Sequence, residues 1–225
     1  MNIAIPLRYK YFNSKNWEHR DVIMQDFILM AEKLGFGMVA LMNDGFEAIC
    51  EECEGLLLDG SAMDSDPKYY DGEAQEYDEV ELELDTALIK YFYEHGKPIF
   101  AIGTAAQEVN SYFGGSYKRL ENTSAHNKEA HRHLIKIEKD GFVDKAFGKA
   151  EAEVNSMHSW CFDKIAPDFK AVATAEDGVV EAIEWADKNI FAVQWHPERC
   201  FIDEKENPVE AKLFENFLEC CRKVK

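Results

Sequence analysis

The chain has 225 residues, 46% of them hydrophobic, with 43 acidic against 25 basic side chains and a formal net charge of -18. That length suits one large α/β domain and is tight for two, and the apolar content supports a full core. The acidic balance argues against nucleic acid or an anionic membrane as partner and points to a soluble, cytoplasmic protein. No apolar run reaches the length of a membrane span, and Met1 to Leu7 lacks the charged start and cleavage site of a signal peptide.

Taken in order, Asn2 to Leu7 predicts a first strand. Val22, Ile23, Phe27, Ile28, Met30, Ala31 and Leu34 fall at helical spacing, so Arg20 to Leu34 reads as a helix stopped by Gly35. Phe36 to Met42 is a second strand, Phe46 to Cys53 a short helix, and Leu56-Leu57-Leu58 a third strand running into Asp59-Gly60-Ser61. The acidic, aromatic stretch from Met63 to Tyr77 reads as a long ordered loop. Glu79 to His95 predicts a long helix with Val80, Leu84, Ala87, Leu88 and Phe92 on one face. Pro98 to Ile102 is a short buried strand, followed by a corner at Gly103 and a helix over Ala105 to Phe113. Strands and helices alternating at these lengths predict a mostly parallel sheet covered on both faces.

The second half is richer in strands, with Leu134 to Ile137, Glu153 to Ser156, Ala171 to Ala175, Val179 to Trp185 and Phe191 to Trp195. Glu176-Asp177-Gly178 predicts a hairpin turn and Asp187-Lys188-Asn189 a second. Asn207 to Val224 closes the chain as a helix with Pro208 in its first turn. No repeat or linker is visible, so a single domain over residues 1–225 is expected.

Two stretches carry chemistry. Strand-to-helix corners such as the one at Gly103 hold the nucleophile in α/β hydrolytic folds, because the sharp turn pushes one side chain over the sheet edge. Phe191 to Trp195 ends in His196-Pro197-Glu198, a histidine at a strand end with a carboxylate two residues on, suited to a base and its orienting partner. Open α/β sheets bind their ligands at that edge. The plainer reading of His196 is a surface histidine closing the sheet.

Gly55-Leu56-Leu57-Leu58-Asp59-Gly60-Ser61, Asp66-Pro67-Lys68-Tyr69-Tyr70, Gly96-Lys97-Pro98-Ile99-Phe100-Ala101-Ile102 and Phe113-Gly114-Gly115-Ser116 follow one another along the chain. Val154-Asn155-Ser156-Met157-His158, Ala175 to Ala182 and Gln194-Trp195-His196-Pro197-Glu198 complete the series. With these motifs the chain resembles the class I glutamine amidotransferase superfamily, in the γ-glutamyl hydrolase-like branch (peptidase family C26), nearly end to end. The resemblance implies a flavodoxin-like fold with a smaller antiparallel strand region. It implies His196 and Glu198 as catalytic base and partner, and Gly103 at the nucleophile position. Gly60, Ser61, Thr104, Gln107, Asn155, Ser156 and His158 would serve the oxyanion hole or the ligand.

The departures bear on activity. Family members read Gly-Ile-Cys-Arg-Gly where this chain reads Ala101-Ile102-Gly103-Thr104-Ala105, and they tend to carry glutamine where Trp160 stands. The neighbours of Gly103 differ too, as in divergence rather than a single inactivating change. Two readings follow: a silent relative that keeps a pocket for a γ-glutamyl or glutamine-like small molecule, or a γ-glutamyl amide hydrolase with another nucleophile or a His196-activated water. Thr104, Cys161 and Cys200 are substitute nucleophiles set against structural readings. A homodimer fits this class, and no cofactor is expected.

Three further clusters are expected to be inert. The six cysteines, including Cys50-x-x-Cys53 and Cys220-Cys221, read as reduced structural thiols. His126, His131 and His133 read as a solvated loop entering the Leu134 strand, although His131 and His133 share a strand face and could bind metal. Asp64, Asp66, Asp71 and Glu73 read as a solvated acidic face. No metal ligand set is expected.

Overall fold

The computed structural model describes residues 1–11, 19–42, 45–60, 79–120, 126–203 and 207–224, with the backbone alone at 9–11, 19–21 and 127–131. Ser61 and the Met63 to Tyr77 loop therefore lie outside the described residues. The first half runs β1 (Asn2–Pro6), β2 (Arg8–Tyr11), β3 (His19–Val22), α1 (Gln25–Leu34), β4 (Gly37–Leu41), α2 (Phe46–Glu51) and β5 (Gly55–Leu58). It continues through α3 (Glu79–Glu94), β6 (Ile99–Ile102), α4 (Thr104–Tyr112) and β7 (Ser116–Arg119). The second half comprises β8 (Asn127–Ile137), α5 (Phe142–Phe147), β9 (Glu151–Met157), β10 (Trp160–Lys164), β11 (Lys170–Ala175), β12 (Val180–Trp185), β13 (Ile190–Val193) and α6 (Ala211–Cys221).

Nine strands form one sheet in the order β4-β1-β5-β6-β13-β12-β11-β8-β9. From β4 to β13 neighbours are parallel, and from β13 to β9 they are antiparallel. This is the flavodoxin-like arrangement expected from the sequence, with the antiparallel strands continuing the parallel core. β5, β6 and β13 are buried along their whole length, as strands covered on both faces must be. Alternate residues therefore feed two cores. Ile3, Ile5, Leu57, Phe100 and Ile102 pack with Phe27 of α1, Phe142 of α5 and Phe214 and Phe217 of α6. Ala4, Leu56, Leu58, Ile99 and Ala101 pack on the opposite face with Cys50 of α2, Leu84, Leu88 and Phe92 of α3, and Ala105 and Val109 of α4.

The predicted elements largely appear, with instructive exceptions. Arg20 to Val22 is strand, paired antiparallel with Arg8 to Lys10, and the helix begins only at Gln25. Val22 and Ile23 extend the helical spacing by coincidence, while the residue before the helix, Met24, is extended at φ -70° and ψ 145°. β7 and β10 form a two-stranded ribbon, and α5 is a short helix in the strand-rich half. The last helix is preceded by a 3₁₀ turn at Pro208–Glu210, capped by the Asn207 carboxamide oxygen accepting from Val209 N–H at 3.1 Å. No helix among the described residues is long and apolar enough to cross a membrane.

Candidate active site at the carboxyl edge of the sheet

At Gly103 the chain leaves β6 with φ 61° and ψ -125° and enters α4. Such a backbone costs a residue with a β-carbon about 1–3 kcal/mol, and glycine removes that strain. The Gly103 N–H donates to the Val193 carbonyl at 2.9 Å, tying the corner to the strand that delivers His196. A β-carbon built on Gly103 would lie 3.3 Å from His196 Nε2, and one on Gly60 would lie 3.3 Å from His196 Cε1. The imidazole is thus packed against the backbone of two glycines, at the ends of β5 and β6. A side chain at position 103 would meet the Cε1–Nε2 edge of that ring.

Glu198 lies on the 3₁₀ turn Pro197–Phe201, fully buried, with Oε1 2.7 Å from His196 Nδ1. The carboxylate accepts the Nδ1 proton, so neutral His196 keeps its lone pair on Nε2, the atom facing Gly103. Asn155 fixes the backbone of the same histidine from both sides. Its Oδ1 accepts from His196 N–H at 2.9 Å and its Nδ2 donates to the His196 carbonyl at 2.8 Å.

The β5 loop is held by a buried cation that sequence reasoning passed over. Arg8 donates from Nε to Asp59 Oδ1 at 3.0 Å and from Nη1 to Asp85 at 2.8 Å, and its Nη2 bonds the Asp59 carbonyl. Those bonds fix the residue just before Gly60. Burial pushes the Asp59 carboxyl up to about 7 against the pull of Arg8. Burial and the neighbouring Asp85 raise Glu108 of α4 well above the carboxylate range. One arginine among Asp59, Asp85, Glu81 and Glu108 leaves excess negative charge, which favours the protonated form of Glu108.

The structure brings Gly103, Gly60, His196 and Glu198 together, with Thr104 opening α4 beside them. The other expected ligand residues have internal partners. Gln107 donates from Nε2 to the Trp160 carbonyl at 3.3 Å and to Gln194 Oε1 at 3.2 Å. Ser156 is fully buried and donates to the His126 carbonyl at 2.9 Å. His158 donates from Nδ1 to the Trp160 carbonyl at 2.8 Å. Cys161 is buried, which pushes its thiol up to about 11, away from nucleophilic duty.

The solvated-loop reading of the histidines does not hold for His126 and His133. His126 is buried and His133 nearly so, because β8 starts at Asn127 and pairs with β9, drawing both inward. His126, His133 and His158 converge on fully buried Glu181 of β12. Burial would raise the Glu181 carboxyl, but positive charge on His158 and His126 would outweigh it and hold the carboxyl at about 2. The side chain of His131 lies outside the described residues. All six cysteines are free thiols, in line with the structural reading.

A parallel sheet edge whose strand-to-helix corner faces a strand-end histidine and its carboxylate is the arrangement that the sequence resemblance implied. Residues 3–198 match the Peptidase C26 family, and the chain belongs to it. It is 31% identical over 220 residues to the glutamine amidotransferase-like protein YvdE of Lactococcus lactis, covering 89% of each chain. It is 28% identical over 193 residues to the γ-glutamyl-γ-aminobutyrate hydrolase PuuD of Escherichia coli, covering 78% of this chain and 75% of that one. A glutamine amidotransferase structure from Thermotoga maritima superposes with a TM-score of 0.68 at 15% identity, over 99% of this chain and 98% of the other.

Proposed function

We propose that this chain is a catalytically silent C26 protein that binds a γ-glutamyl compound or a related glutamine-like small molecule at the Gly103–His196 corner. The observation that carries the reading is Gly103 itself: thioester chemistry needs a thiolate facing the histidine, and glycine supplies none. Cys161 has its pKa moved the wrong way to substitute. Backbone N–H groups at the start of α4 and at Gly60 remain suited to a carboxylate or carbonyl oxygen. The relatives named as γ-glutamyl-γ-aminobutyrate hydrolases supply the ligand class.

A second reading rests on the intact 2.7 Å His196–Glu198 pair: a slow γ-glutamyl amide hydrolase in which His196 Nε2 activates water. Two measurements separate them. Thermal-shift titration with glutamate, glutamine and γ-glutamyl-aminobutyrate is expected to raise the melting temperature for at least one. Glutamate release from the same amides is expected to match buffer, in the parent and in His196→Ala alike. Turnover that disappears in His196→Ala would establish the hydrolase instead. No shift with any ligand would remove the small-molecule site.

A further inference from the structure

We propose that His126, His158 and Glu181 form a binding site for a divalent transition-metal ion of the zinc class, separate from the Gly103–His196 corner. His158 Nδ1 lies 2.8 Å from the Trp160 carbonyl, which can only accept, so that nitrogen carries the proton and Nε2 keeps a lone pair. His126 Nε2 lies 2.8 Å from Asp177 Oδ2, which likewise fixes its proton there and leaves Nδ1 bare. Ser156 Oγ approaches Nδ1 at 3.5 Å, but its hydrogen goes to the His126 carbonyl at 2.9 Å.

Both bare nitrogens face one oxygen. His126 Nδ1 and His158 Nε2 are each 3.3 Å from Glu181 Oε1, and His133 Nε2 reaches the same atom at 3.5 Å. Glu181 is fully buried, and among the described residues neither its oxygens nor His158 Nε2 has a hydrogen-bond partner outside this cluster. Lone pairs aimed at a buried carboxylate repel unless positive charge sits between them. Added protons could provide it, and the Glu181 and Asp177 carboxylates do raise His126 against the effect of burial.

The distances favour an ion. Tetrahedral zinc with ligand bonds of about 2.0–2.2 Å sets its donor atoms about 3.3–3.5 Å apart, the separation found at Glu181. One donor atom from each of His126, His158 and Glu181 lies within 4.8 Å of the others. The outer partners also fit, since metal-bound histidines characteristically give their second N–H to a carboxylate or a backbone carbonyl. Asp177 and the Trp160 carbonyl fill those two roles. Two imidazoles and a carboxylate, with a third imidazole on the same oxygen and no thiolate, suit zinc, cobalt(II) or iron(II) rather than calcium or magnesium.

The test uses the full chain, stripped with chelator and titrated with cobalt(II) and zinc. The expected result is saturation at one ion per chain, strong visible cobalt absorption of a four- or five-coordinate nitrogen and oxygen site, and a higher melting temperature with zinc. His158→Gln should abolish binding. Asp177 stands in an exposed turn, and Asp177→Asn keeps the oxygen that accepts from Val179 N–H. That variant should fold and bind 10–100-fold more weakly. Cys50→Ser/Cys53→Ser should bind like the parent. Absence of saturable binding would overturn the site and leave protonated histidines as the counter-charge. Thiolate-to-cobalt absorption that vanishes in the double serine variant would overturn it too, as would parent-like affinity in both His158→Gln and Asp177→Asn.

Discussion

A cysteine at position 103 would carry its β-carbon 3.3 Å from His196 Nε2, close enough for sulfur to meet the ring. Gly103→Cys is therefore expected to be alkylated by iodoacetamide faster than any native thiol, and that advantage should vanish in Gly103→Cys/His196→Ala. The background is favourable, because burial pushes Cys50, Cys53, Cys161, Cys220 and Cys221 upward and slows them. The variant should also lose about 1–3 kcal/mol in denaturant melts, the cost of a β-carbon at a φ of 61°. Hydrolysis should stay slow even so, since Thr104 and Ala105 stand where the family has arginine and glycine. A new thiol no faster than the native six would mean that the corner rebuilds around the side chain.

Between elements, the Arg8 cluster fastens the start of β2 to the end of β5, and through Asp85 and Glu108 to α3 and α4. Glu108 has its pKa raised in the folded state. Its contribution to stability is therefore full below about 4.5 and is lost as pH climbs through the folded value. Glu108→Gln, which cannot ionise, should raise the melting temperature by about 2–6 °C at pH 8 and change it little at pH 4.5. An equal effect at both pH values would place the proton elsewhere in the cluster. This cluster was invisible in the sequence, because Arg8 meets Asp59 and Asp85 across 51 and 77 positions. The β-α frame was legible where strands are continuously apolar and helices end in glycine, as at Gly35. It failed at Arg20 to Val22, where a four-residue strand shares its apolar residues with a helical pattern. The corner and His196 were found because ordered motifs imply a known arrangement. The histidine cluster was missed because its members come from β8 and β12, the turn before β8 and the residue after β9, which no local spacing joins.

Over the whole molecule, a net charge of -18 means that folding gathers like charges. Raising sodium chloride from about 0.01 to 0.15 M shortens the screening length from about 30 to 8 Å, so the melting temperature should rise by several degrees. A flat or falling response in calorimetry would show that the acidic groups are already balanced by local pairs.

The strand order also governs how the chain emerges during synthesis. β13 lies in the middle of the sheet, between β6 and β12, although it is the last strand made. At about 5–20 residues per second, roughly 5–20 s separate translation of β6 from that of its partner. Through that interval Ile99-Phe100-Ala101-Ile102 presents an apolar, hydrogen-bonding edge that other nascent chains could join. Ribosome-bound chains stopped before Ile190 should accordingly recruit chaperones. Release of those chaperones should coincide with the arrival of β13, the same event that carries His196 to Gly103.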